Sequence, residues 1–133
     1  MTEKMTPKDL SQLYWLNKEI RAEQLRLAEL EAAADPFAGI TGLPRGTGLS
    51  DKNAAVQIDH VRGILRERLD RAVTEYSRLN QYIAGVDDSM MRQILTLRYI
   101  HGLSWIQVAH RIGGGNTEDS VRMAHNRYLR SHP

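Results

Sequence analysis

Cysteine is absent from this chain, phenylalanine occurs once and proline four times in 133 residues. Without cysteine there are no disulfides, no cysteine-ligated zinc and no thiol nucleophile, and the composition fits a reducing compartment. No apolar run approaches the roughly 18 residues that span a bilayer. The opening residues, MTEKMTPKDLSQ, lack the apolar stretch of a signal peptide. The expectation is a cytoplasmic protein with no membrane partner. There is no credible strand. Charge of one sign is not in excess either, with 18 Lys+Arg against 16 Asp+Glu and a formal charge of +2. A near-neutral total says little about partners, so the placement of charge matters more. Residues 1–34 carry five basic and six acidic groups, whereas residues 120–133 carry Arg122, Arg127 and Arg130 with no acid. A basic end on a near-neutral chain is the footprint of a local nucleic-acid contact.

What is present is helical periodicity. Thr6-Pro7-Lys8-Asp9 is a helix start: Thr6 caps, Pro7 suits the first helical position and Asp9 closes a capping box. Leu13, Leu16, Ile20, Leu27 and Leu30 follow at steps that keep one face apolar, with Glu23 interrupting. This predicts a helix to about Ala34, roughly 40 Å long at 1.5 Å per residue. Asp35-Pro36 ends it, because the residue before proline is pushed out of the α region. Residues 35–50, rich in glycine and proline, read as a connection. Ser50 or Asp51 can cap a second long helix with the stripe Ile58, Val61, Leu65, Leu69, Ala72, Tyr76, Leu79 and Ile83. Two one-faced helices bury their stripes against each other, as an antiparallel hairpin, or against a second copy of the chain. The pattern allows both.

After Gly85 the scale changes. Caps around Asp87, Asp88 and Ser89 open a third helix, about Ser89 to His101, which Gly102 ends. Ser104 caps a short fourth helix, Trp105 to Ile112. Gly113-Gly114-Gly115-Asn116 forces a turn, and Thr117 caps a fifth helix ending near Arg130. The expected architecture is all-α: a long helical hairpin over 1–85, then a helix-turn-helix bundle over 86–133. Ile94, Leu95, Tyr99, Trp105, Val108, Ala109, Ile112, Val121, Ala124 and Tyr128 supply its core, with Ala109 small where two helices cross. The fifth helix then projects Ser120, Arg122, Met123, Asn126, Arg127 and Arg130 outward. Such a helix fits the major groove of duplex DNA, its first residues reaching base edges and later arginines meeting phosphates. Glu118 and Asp119 suit the helix dipole but repel phosphate, which discourages indiscriminate binding.

Several segments add a resemblance. Leu97-Arg98-Tyr99, Gly102-Leu103-Ser104-Trp105, Val108-Ala109, Ile112-Gly113, Ser120-Val121-Arg122 and Arg127-Tyr128-Leu129 resemble region 4 of bacterial sigma-70 factors. More closely, they resemble the sigma-region-4-like phage and prophage regulators of the ArpU/RinA type. Those proteins also share a long N-terminal helix and a segment of the form seen at Leu43-Pro44-Arg45-Gly46-Thr47-Gly48-Leu49-Ser50-Asp51. The resemblance spans roughly Leu13 to Leu129. It implies DNA binding in the control of phage gene expression, in a bacterial host cytoplasm, with host RNA polymerase as a possible second partner. By motif match, Thr117, Asp119, Ser120, Arg122 and Met123 fall where sigma region 4 faces DNA. Two departures stand out: the turn at 113–116 is about two residues longer, and Glu118 replaces a common basic residue.

Other chemistries find little support. Residues 42–48 invite a phosphate-loop reading, but no Lys-Ser/Thr pair follows and no strand precedes. His60, His101, His110, His125 and His132 have no metal-ligand spacing, so structural or solvent roles are expected, with no metal and no cofactor. The carboxylates lie on solvated faces or caps, Ser89 and Ser104 read as caps, and no enzyme is expected. Trp15 and Trp105 read as packing residues, Trp15 also as a mark of an interface. The alternative function is an oligomeric interaction or phage assembly protein, such as a DNA-packaging adaptor, in which the long helices mediate assembly, including homodimers.

Overall fold

The computed structural model describes residues 4–34 and 52–133. The connection 35–50, with its phosphate-loop-like stretch and the caps expected at Ser50 and Asp51, lies outside the described residues. Among the described residues there are five helices and no strand, so the all-α expectation is met. They are α1 (Pro7–Ala34), α2 (Lys52–Ala84), α3 (Ser89–Leu95), α4 (Trp105–Ile112) and α5 (Glu118–Ser131). No helix among the described residues is long and apolar enough to cross a membrane.

The helices begin where local chemistry dictates. At α1 the Asp9 N–H donates to Thr6 Oγ1 at 3.1 Å, and the Thr6 N–H donates back to Asp9 Oδ2 at 3.2 Å. Orphan amides at both ends of the first turn are thereby satisfied. Ser104 with Gln107 and Thr117 with Ser120 build the same reciprocal box at α4 and α5. At α3 the cap is Asp88, whose carboxylate accepts from the Met91 N–H at 2.9 Å. Ser89, expected as a cap, is instead the first helical residue.

The third helix does not run evenly to His101. Over Thr96–Ile100 it widens into a π turn, in which the His101 N–H reaches Thr96 O five residues back at 3.1 Å. Gly102 follows at φ +70°, and the Leu103 N–H closes the end on Leu97 O at 3.1 Å. That closing bond spans one residue more than the usual glycine-terminated helix end, as the wider turn requires. Gly102 is needed for a second reason. A Cβ there would lie 2.8 Å from the Tyr14 ring of α1, closer than atoms pack.

The described chain forms two compact units, one of residues 1–17 with 74–133 and one of residues 18–73. In the first, a single core joins both long helices to the three short ones. Leu10 and Leu13 of α1 and Leu79 and Ile83 of α2 are buried together with Ile94, Leu95, Tyr99, Val108, Ala109, Val121 and Leu129. Trp105, Ile112, Ala124 and Tyr128 are half-buried against it. The core expected for the last three helices is therefore present but larger, since Met5, Val86 and Met91 also enter it. Trp15 does not: it is 66% exposed, its ring meeting Tyr14 edge-on at 5.4 Å. One helical step separates it from the Leu13/Leu16 face, which turns the indole outward.

The unit 18–73 is built from the rest of the two long helices. Leu65 and Ala72 are buried, and Ile20, Leu27, Leu30, Ile58, Val61 and Leu69 are half-buried. The expected stripes are thus the inner faces. Arg66 of α2 reaches Glu31 near the end of α1 at 3.0 Å, so within this unit the two helices of one chain meet each other.

Candidate nucleic-acid interface

α5 is the element whose outer face carries the expected contacts. Its core face repeats every four residues through Val121, His125 and Leu129, all buried. With that face fixed, Thr117, Asp119, Ser120, Arg122, Met123, Asn126, Arg127 and Arg130 are all exposed. The structure brings these eight residues to the outside of one helix and its cap.

They are not equally available. Thr117 and Ser120 are used by the capping box, the Ser120 N–H donating to Thr117 Oγ1 at 3.1 Å and the Thr117 N–H to Ser120 Oγ at 2.8 Å. Arg122 is held by Asp119 at 2.6 Å and by Glu118 at 3.7 Å. An arginine between two carboxylates has most of its field cancelled before a ligand arrives. Arg127 and Arg130 make no side-chain hydrogen bond or ion pair among the described residues, and they are the cations this face offers freely. Met123 is 58% exposed and, on α4, Ile106 is 65% exposed. Apolar side chains beside a groove-sized helix suit the thymine methyl group.

Behind this face sits a polar chain that the sequence pattern hides. The His125 ring is 2% exposed. Its Nδ1 lies 2.9 Å from Asn126 Oδ1, and its Nε2 lies 2.6 Å from the Tyr99 hydroxyl. The amide oxygen can only accept, so Nδ1 carries the proton and donates. The neutral ring then takes the Tyr99 O–H at Nε2. Burial holds the His125 pKa below its ordinary value of 6.5, with the Arg98 charge acting in the same direction and the Asn126 hydrogen bond opposing. Burial also pushes the Tyr99 hydroxyl up to about 12. Trp105 closes the site, edge-on to the imidazole at 4.7 Å, and the Arg98 guanidinium lies 4.6 Å over the indole. One arginine N–H from Arg98 also donates to Leu103 O at 2.9 Å.

Two features escaped sequence reasoning. His125 takes the structural of the two roles expected for the histidines, but its place at a hub of the core was missed; the signal was its position four residues from both Val121 and Leu129. Asn126, read as a plain surface contact, also takes part in the core through its Oδ1, which accepts from His125 Nδ1 at 2.9 Å.

The connection from α4 to α5 is unusual in its backbone. Gly113, Gly114 and Gly115 take φ of +68°, +64° and +80° in succession, a conformation that side chains resist. Asn116 pins the turn, its Nδ2 donating to Gly113 O at 2.9 Å. Among the described residues, no group of three or more His, Asp or Glu is placed to hold a metal. No family model matches the chain, and no match was found among curated proteins or solved structures.

Proposed function

We propose that this protein binds duplex DNA through the exposed face of α5 and acts as a transcriptional regulator of the phage sigma-region-4-like kind that its motifs resemble. The observation that carries the reading is the exposure of Arg127, Arg130, Asn126 and Met123 on one helix whose opposite face is buried. Phosphate contacts from Arg127 and Arg130 supply affinity, and residues nearer the start of α5 supply base readout. Glu118 and Asp119 keep Arg122 in place and raise the cost of random contacts.

Fluorescence anisotropy with labelled duplexes tests this. The wild-type chain binds at low salt, and Arg127→Ala with Arg130→Ala lowers the salt slope by roughly 0.9 for each phosphate no longer neutralised. Absence of binding at low salt, or binding that the double substitution leaves unaltered, sinks the reading.

A second reading, an oligomeric assembly protein, draws on Leu25, Val56 and Val73, which are 62%, 67% and 44% exposed on the long helices. Light scattering across a concentration series separates the two. A ring-sized oligomer favours assembly, and a monomer or dimer favours regulation.

A further inference from the structure

Beside α5 the segment that precedes α1 forms one wall of a groove of about 520 Å³. Met5, Pro7 and Leu129 make its apolar floor, and Lys4, Asn126 and Arg130 stand on its walls. Among the described residues, no carboxylate lines it. Asp9, in the first turn of α1, is occupied by the Thr6 N–H and by the Thr6 hydroxyl at 2.8 Å. Lys4 and Arg130 make no ion pair among the described residues. The Asn126 oxygen accepts from His125 Nδ1 at 2.9 Å, and its NH₂ remains as a donor beside the groove. Asn126 and Arg130 are four residues apart on one helix and so share a face.

We propose that this groove is a phosphate-binding site, in which Lys4, Arg130 and the Asn126 NH₂ take one backbone phosphate of the duplex engaged by α5. The inference rests on the DNA-binding reading above and adds to it a contact from the segment before α1. Two cations and an amide N–H, with no acid lining the groove among the described residues, match a phosphodiester and repel a cationic partner. A phosphate held here fixes where α5 sits along the duplex without reading sequence. His125 acts as a positioning residue: it sets which end of the Asn126 amide meets the ligand.

The test uses the full chain and labelled duplexes of two unrelated sequences over a salt series. Lys4→Ala weakens binding equally on both sequences and lowers the slope of log K against log salt by about 1. Asn126→Asp weakens binding more than Asn126→Ala, because it places an anion where the amide donated. Thermal melting beside each titration shows that the variants are folded, and Lys4 lies outside the core should Asn126→Asp fail to fold. If the wild type binds duplex and Lys4→Ala keeps both affinity and slope, this inference is overturned and the α5 reading stands. If the wild type binds no duplex at low salt, both fall.

Discussion

The same two helices behave differently in the two units they serve. Within residues 18–73 the pair stands alone, and the face of each helix turned from its partner keeps large apolar residues such as Leu25, Val56 and Val73 in solvent. An exposed ion pair, Arg66 with Glu31, and a half-buried one, Arg62 with Asp59, decorate it. In the other unit the ends of the same helices meet three further helices, and Leu10, Leu13 and Leu79 are wholly buried. The apolar spacing along each helix hardly changes between the two. What changes is the number of elements available to cover a face: two helices bury a seam, and five segments enclose a core. An amphipathic stripe therefore reports which side faces inward, while depth of burial is decided by what else arrives.

The largest test of this contrast is truncation at matched positions. Leu79→Ala should cost about 3 kcal/mol, as expected for a filled core site. Leu27→Ala, from the half-buried seam, should cost about 1 kcal/mol. Urea denaturation monitored by circular dichroism measures both, and equal losses would erase the distinction between the units.

A second test separates them by pH. In the folded chain the His125 pKa lies below 6.5 through burial. Between that lowered value and 6.5 the unfolded chain binds a proton that the folded chain refuses. Stability therefore holds above 6.5 and falls as pH drops through it. Melting temperatures should decline from about pH 7.5 toward about pH 5.5, and His125→Gln should flatten the decline. An unchanged slope in that variant would show that other groups set it. The smallest effect is expected at the exposed pair of the other unit. Glu31→Ala should change stability by less than about 0.5 kcal/mol, and salt should remove even that.

Much of this architecture was legible from short-range chemistry. Thr6 with Asp9, Ser104 and Thr117 announced helix starts because a cap needs only residues within one turn. The stripe from Ile58 to Ile83 announced the inner face of α2, and Gly102 its neighbour's end. The π turn at Thr96–Ile100 left no such signal, since no cap or breaker within it marks the extra residue. The reach of Met5 and Leu10 into the C-terminal core was equally hidden, because it depends on residues far along the chain. At the interface, exposure was legible in the helical spacing. Availability was not: the pairing of Arg122 with Asp119, and the commitment of the Asn126 oxygen to His125, emerge only once side chains take their places.

The path of the chain through its first core has a topological consequence. The chain leaves that core after Asn17 and re-enters at Thr74, so residues 18–73 are an insertion in it. Contacts between the two helices inside that stretch, such as Arg66 with Glu31, lessen the loop-closure entropy of bringing the start of α1 to the end of α2. No residue of the first core lies in that stretch, which buries its own Leu65 and Ala72. A fragment beginning at residue 86 is a different object. It would lack Leu10, Leu13, Leu79 and Ile83 and the Tyr14 ring that rests on Gly102, and would expose the apolar wall that those residues cover.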